Sequence, residues 1–379
     1  MKWMRWVSVT LVLGLTSVAS GASANALTTE VVATGLVNPW SLAFIDEEQM
    51  LVTERPGRLR LVTAAGEISE PIAGLPPIQA GRQGGLLDVM VDRSFEDNRR
   101  LYFCYTAPQD DNVSTARNST ALATAILSAD NRSLLNVETL FRQDPQYAGG
   151  LHFGCRLVQL EDDTIVMGLG DRYNLMNQAQ ALDQHIGKVI RIHPDGSIPS
   201  DNPFVGQAGA KPAIWSYGHR NIQGAMLSTD GELWMHEHGP QGGDELNLIE
   251  PGVNYGWPVI TYGVNYGGGV IGQGITEAPG MAQPITYWTP SIAPSGMAQI
   301  TTDRYGFDWQ GHFVLGSLKF RQLVKLGMNG NEVVSESVLL PELGQRVRDV
   351  REGPDGWLYI LTDRTDGQVL RLLPTSNLN

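Results

Sequence analysis

The chain reads as an all-β protein closed into a six-bladed β-propeller. Short strand-forming runs broken by Gly, Pro, Asp and Asn fill it, and helical periodicity is scarce. One hairpin pattern recurs six times along its length, which is a repeat signal. An open sheet of this size would also leave long unpaired edges, and a ring removes them.

The first 26 residues are set apart. Lys2 and Arg5 make a positive start, Val7 to Val18 is mostly apolar, and Ala22-Ser-Ala24 or Ala24-Asn-Ala26 supplies small residues for cleavage. A membrane anchor is the alternative, but the apolar run falls short of the roughly 20 residues that a spanning helix needs. The expectation is a signal peptide cut after Ala24 or Ala26, leaving residues 27–379 as one propeller domain in the periplasm or secreted. No later run is apolar enough to span a bilayer.

The hairpin consists of an apolar strand, a polar turn and a second apolar strand. It is plain at Leu42 to Val52, Leu157 to Val166, Ala225 to Trp234 and Val350 to Ile360. Two divergent copies begin near Leu87, ending in Leu101-Tyr-Phe-Cys104, and near Met297, ending in His312-Phe-Val-Leu315. The copies start roughly 45 to 70 residues apart, which leaves room in each for a four-stranded blade. A β-sandwich is the competing architecture, and regular recurrence argues against it. The longer connections, 171–215 and 239–290, are expected over one mouth of the ring, where ligands usually sit.

With 27 basic against 40 acidic residues the formal charge is −13, and loss of Lys2 and Arg5 makes it −15, 25 against 40. Such a surface repels nucleic acid and anionic lipid, so neither is an expected partner. Clustered cations in an acidic chain therefore call for a reason. Cys104 and Cys155 are the two cysteines; a disulfide and two buried thiols are equally allowed.

Several clusters carry chemistry. His152 lies in Gly149-Gly-Leu-His-Phe-Gly-Cys-Arg156, where glycines allow close approach to the imidazole. A histidine there is a candidate general base, although a buried structural histidine is the commoner case. In Tyr217-Gly-His-Arg-Asn-Ile-Gln-Gly224, Arg220 can fork onto a carboxylate and Asn221 can donate and accept. Gly316-Ser-Leu-Lys-Phe-Arg321 and Arg346-Val-Arg348 add cations, the last two on one strand face. Together these point to a small polyanion. Trp234-Met-His-Glu-His-Gly-Pro240, followed by Asp244, Glu245 and Asn254-Tyr-Gly-Trp-Pro258, offers carbonyls and carboxylates to a hard cation. His236 and His238 share a strand face, but no third ligand has clear spacing, so oxygen ligands and calcium are favoured over zinc. Sequons at Asn112, Asn118 and Asn131 carry little weight.

These motifs, spread from Trp40 to Arg348, resemble the soluble quinoprotein sugar dehydrogenases. The resemblance implies a pyrroloquinoline quinone (PQQ) cofactor, calcium, and oxidation of aldose sugars at C1 to the lactone. Electrons would leave for a soluble or membrane acceptor. It implies His152 as proton acceptor and Arg220 as a group polarising the quinone. Gln83, Arg220, Asn221, Tyr266, Ser317, Leu318, Lys319, Arg346, Val347 and Arg348 would bind the cofactor. The carbonyls of Gly239 and Pro240 would hold one calcium, and Glu245 with the Tyr255 carbonyl a second. Leu151 stands where the narrow glucose-specific branch has an acid, which favours a broader aldose range. A monomer or homodimer is compatible with this reading. The alternatives from other classes are a metal-dependent lactonase and a non-catalytic binding propeller.

Overall fold

The computed structural model describes residues 27–375; the expected signal peptide with its cleavage site, and residues 376–379, lie outside them. Within these bounds six antiparallel sheets stand around an axis, each led by one of the recurrent hairpins. Blade 1 is Pro39–Phe44, Gln49–Glu54 and Arg58–Thr63. Blade 2 is Leu86–Val91, Arg100–Pro108, Arg117–Leu127 and Leu134–Arg142, with Tyr147–Ala148 added to its third strand. Blade 3 is Gly154–Gln159, Ile165–Leu169, Lys188–Ile192 and Ile214–Tyr217, and blade 4 is Ile222–Leu227, Leu233–Glu237, Asp244–Leu248 and Thr286–Trp288. Blade 5 runs through Pro294–Gln299, Phe313–Ser317, Leu323–Asn329 and Glu332–Leu339.

Blade 6 joins the two ends of the domain. Val347–Glu352, Leu358–Thr362 and Gly367–Pro374 are its inner strands, and Leu27–Leu36 pairs with Gly367–Pro374 as its outermost one. Blade 1 is correspondingly left with three strands. The inner strands of successive blades contact each other all the way round, so the ring is closed.

Each blade is a sheet pressed between two neighbours, so its middle strands lose the in–out alternation of a one-sided sheet. All five residues of Ile165–Leu169 are buried, as are all five of Leu358–Thr362. That is why the inner hairpins read as continuous apolar runs. The outermost strand Glu332–Leu339 is mostly exposed and carries Glu and Ser instead. Six apolar clusters fill the six gaps between blades, for example Leu51, Leu86 and Phe103 between blades 1 and 2, and Val347, Ile360 and Val314 between blades 5 and 6.

The axis itself is polar. Arg156, 1% exposed, lies between Asp88 at 3.3 Å and Asp349 at 3.0 Å. Arg351 bridges the same two carboxylates at 3.1 Å each. Asp88 also accepts from Ser41 Oγ and Leu157 N, and Asp349 from Leu42 N. Blades 1, 2, 3 and 6 are thus pinned to one charged centre. Blade 5 makes room for it with Gly296, whose missing Cβ would sit 2.0 Å from Asp349 Oδ1.

The cysteines, left open by the sequence, form a disulfide with Cα atoms 6.0 Å apart. It ties the second strand of blade 2 to the bulge that opens blade 3, three residues after His152. Among the described residues no helix is long and apolar enough to cross a membrane.

The axial network gives a stability expectation. Asp88→Ala strands a fully buried guanidinium with one partner fewer and should cost about 3–5 kcal/mol. Chemical denaturation should show a lower midpoint, whereas an unchanged midpoint would remove the network from its structural role.

Candidate functional site

Two adjoining cavities open over one mouth of the ring. The larger, about 630 Å³, is lined by Arg55, Arg82, Lys319, Arg321, Arg346 and Arg348, with Asp363 as its one carboxylate. In a chain with 13 more acidic than basic residues this is a concentrated cationic pocket. The smaller, about 290 Å³, holds His152, Asp171, Tyr173, Arg220 and Trp257. Pro240 and Tyr266 belong to both walls.

His152 is 5% exposed and sits at φ +49°, in the left-handed region. Its backbone is held from three sides. Its N–H donates to Gln83 Oε1 at 2.8 Å, and its carbonyl accepts from Arg172 N at 3.2 Å. Arg172, itself buried, clamps the preceding loop by donating to the carbonyls of Gly149 and Leu151 and stacking 4.1 Å over Phe153. Gly170 passes so close that a Cβ there would lie 2.1 Å from the His152 carbonyl.

The imidazole has one specific partner. His152 Nδ1 lies 2.7 Å from Asp171 Oδ1, and the other carboxylate oxygen accepts from Trp257 Nε1 at 2.8 Å. A carboxylate only accepts, so the proton sits on Nδ1 and the Nε2 lone pair is left free. Burial lowers the His152 pKa from its ordinary value; Asp171 opposes this and Arg220 adds to it. A neutral, oriented imidazole is a base ready to take a proton. Tyr173 stands edge-on to the ring at 5.2 Å and is 42% exposed to the mouth.

Arg220 reaches between the two cavities. Its Nη1 donates to the carbonyls of His238 and Gly239, both at 2.7 Å, its guanidinium lies 5.2 Å from the Trp257 ring, and its N–H is taken by Glu237. Asn221 accepts from Gly154 N and Gln223 Nε2. Across the larger cavity, Asp363 pairs with Arg346 at 3.0 Å and Arg348 at 3.1 Å. Those two guanidiniums hold its carboxyl at about 2, well below the usual range, although burial opposes them. Arg346 also donates to the Leu318 carbonyl, which fixes it beside Lys319.

Of the residues singled out in the sequence, Gln83, Asn221, Pro240, Tyr266, Leu318, Lys319, Arg346 and Arg348 line the larger cavity, and His152 and Arg220 the smaller. Ser317 and Val347 do not reach either wall. Ser317 Oγ donates to the Ile292 carbonyl, and Val347 packs against Gly316. Glu245 and Tyr255 lie behind the mouth, Glu245 on the third strand of blade 4 and Tyr255 in the connection to its fourth. Glu245 pairs across the strands with Glu237, both buried; burial raises both carboxyls, Glu237 to about 8, and the Glu237 carboxyl pushes Glu245 up further. The neighbouring Asn247 Oδ1 is buried without a partner. Two facing acids and an orphaned oxygen suit a hard cation. Among the described residues no three His, Cys, Asp or Glu side chains gather to hold a metal, so such a cation would also draw on backbone oxygens. His238 Nε2 donates to the Pro294 carbonyl at 2.6 Å and His236 Nε2 to that of Ser295, so both imidazoles serve the joint between blades 4 and 5.

Sequence reasoning missed Asp171 and Asp363, and it read Trp257 only as part of a cation-binding segment, not as a partner of Asp171. Asp171 comes 19 residues after His152, at the mouth end of a buried strand in Gly168-Leu-Gly-Asp171. A lone acid between such a strand and a long loop is the one signal that was available.

The model of the glucose/sorbosone dehydrogenase family matches residues 36–371. The aldose sugar dehydrogenase YliI of Escherichia coli is 41% identical over 348 residues, covering 91% of this chain and 92% of its own. The crystal structure of the soluble aldose sugar dehydrogenase of E. coli, in its apo form, superposes with a TM-score of 0.86 at 40% identity, over 92% and 99% of the two chains. The PQQ-bound form of the aldose sugar dehydrogenase of Streptomyces coelicolor superposes at 0.74, over 92% and 99%; at 24% identity this shows the fold alone.

The dyad has a direct spectroscopic consequence. The His152 ring protons should titrate with a midpoint below 6.5 in NMR, and Asp171→Asn should move it lower by removing the group that raises it. The fold favours the neutral ring, so this site's share of stability is present above that pH and lost as pH falls through the folded pKa. A midpoint at or above 6.5 would contradict the buried pair.

Proposed function

The chain belongs to the glucose/sorbosone dehydrogenase family, and we propose that this oxidoreductase is a quinoprotein that oxidises aldose sugars at C1 to the lactone. The observation that carries the reading is the His152–Asp171 pair, lining a smaller cavity sized for a monosaccharide that adjoins a cationic one. The cationic wall suits a flat tricarboxylate such as pyrroloquinoline quinone. Lys319, Arg346 and Arg348 would hold its carboxylates, with Gln83, Asn221 and Tyr266 beside them. Bound there, the cofactor would supply an ortho-quinone that accepts two electrons and later yields them to an external acceptor.

The remaining chemistry falls to the chain's own side chains. His152 Nε2 takes the proton of the C1 hydroxyl as the C1 hydride departs, so the C1–O bond becomes the lactone carbonyl. Asp171 holds the ring in the correct tautomer and stabilises the imidazolium that forms. Trp257 fixes Asp171 by binding its second oxygen. Arg220, stacked on Trp257, aims positive charge at the border of the two cavities, where negative charge develops. Burial of His152 keeps it unprotonated at neutral pH.

Two calcium sites are part of the proposal. The Gly239 and Pro240 carbonyls would serve one at the cofactor, and Glu245, Glu237 and the Tyr255 carbonyl one behind it. The buried acid pair and the orphaned Asn247 oxygen support the second. The Cys104–Cys155 disulfide supports a periplasmic or secreted location.

The deciding experiment is aldose oxidation by purified protein with calcium and a dye acceptor, before and after addition of pyrroloquinoline quinone. Dye reduction that needs the quinone supports the reading, and its absence with every sugar sinks it. His152→Ala should lower kcat by about 10²–10⁴ with quinone uptake retained; near-normal turnover would free His152 of its role. Calcium at a hundred times its Kd should stabilise the fold by about 2.7 kcal/mol, read as a higher Tm, and Glu245→Gln should abolish most of that gain. An equal gain in the variant would move the cation elsewhere.

A further inference from the structure

The cationic cavity holds more positive charge than the proposed cofactor needs. Its walls carry six cations against the one carboxylate of Asp363, which leaves five. Three cofactor carboxylates reduce that to two. The surplus lies on the walls of the larger cavity, and one side chain there is presented by a turn that also holds the His152 backbone.

That turn is Gly81-Arg-Gln-Gly84. Gly81 and Gly84 exchange both backbone hydrogen bonds, at 3.1 and 2.8 Å, which puts Arg82 and Gln83 at a two-residue tip. Arg82 sits at φ +51°, in the left-handed region that such tips demand. Arg55 donates to the Arg82 carbonyl and braces the turn from blade 1. At the tip the two side chains divide. Gln83 binds the backbone N–H of His152, while Arg82 lays its stem on Gly150, two residues from His152. A Cβ on Gly150 would lie 2.8 Å from Arg82 Cδ, so the glycine is what admits the arginine. Among the described residues the Arg82 guanidinium has no hydrogen bond and no ion pair, yet it lines the cavity.

We propose that Arg82 makes this enzyme selective for anionic aldoses, sugars that bear a carboxylate or phosphate away from C1. The proposal rests on the dehydrogenase reading above. The anionic group pairs with the Arg82 guanidinium while the C1 hydroxyl lies at His152, and one rigid turn fixes the spacing between the two. Neutral aldoses enter the same site without that pair.

The test uses enzyme loaded with calcium and pyrroloquinoline quinone and an uncharged dye. The values of kcat/KM for galacturonate and glucose 6-phosphate are compared with those for galactose and glucose, in wild type, Arg82→Gln and Arg82→Lys. Arg82→Gln should lower kcat/KM for the charged sugars roughly tenfold, through KM, and leave neutral sugars within about twofold, as expected for one charge-assisted hydrogen bond. Arg82→Lys should restore much of the loss, and salt should weaken the preference in wild type. An effect confined to galacturonate identifies a carboxylate ligand, and one confined to glucose 6-phosphate a phosphate ligand. Equal losses on both sugar classes, or no loss on either, overturns the proposal while neutral-sugar oxidation keeps the parent reading intact. In a parallel assay with an anionic dye, a change only in the KM of that dye would assign Arg82 to the acceptor and also overturn it. With no sugar oxidised at all, both readings fall.

Discussion

The site is built on Arg156. Its guanidinium is held by two buried aspartates on the ring axis, and the same group supports the floor of the larger cavity. Nε donates to the Gln223 carbonyl at 2.7 Å, Nη2 to that of Arg348 at 3.4 Å, and the plane lies 4.2 Å from the Trp40 ring. Gln223, Arg348 and Trp40 all line that cavity. A propeller offers no covalent link across its axis, so a charge bonded to several inner strands sets how the blades meet. A buried ion pair of this kind is a poor source of net stability, because desolvation offsets most of the attraction. What it provides here is geometry: five inner strands are referred to one point, and the residues above them inherit that registration.

The propeller was legible because blades leave a local trace. Each inner hairpin is buried on both faces, so its apolar runs show through without any long-range information. The fourth strands were not legible. The outermost strand of blade 6, Leu27–Leu36, is remote in sequence from the strand it joins, and no local pattern announces such pairing. The site divides in the same way. Arg220, Lys319, Arg346 and Arg348 stood out because clustered cations are conspicuous in an acidic chain. Asp171 and the role of Trp257 did not, since a single acid and a single indole acquire their meaning only once the fold brings them to His152. The cysteines could not be decided at all, because pairing depends on a distance between blades.

The mouth also shows how an acidic protein keeps arginines close together. Arg346 and Arg348 would repel each other, and Asp363 between them relieves that strain without removing the net positive charge. The cavity is therefore prepared for an anion before one arrives, and little reorganisation is left to binding. The His152 side is prepared differently, by backbone hydrogen bonds and close glycine contacts that hold a left-handed histidine in place.

The pairing of Leu27–Leu36 with Gly367–Pro374 has a meaning for biosynthesis. The ring cannot shut until the last strand has left the ribosome, so every earlier stage of translation yields an open arc with an unpaired blade edge. Closure brings together residues about as far apart as the chain allows, the slowest kind of contact to find. The nascent chain thus stays incompletely folded until its closing strand emerges, and it presents an unpaired blade edge to other chains for all that time.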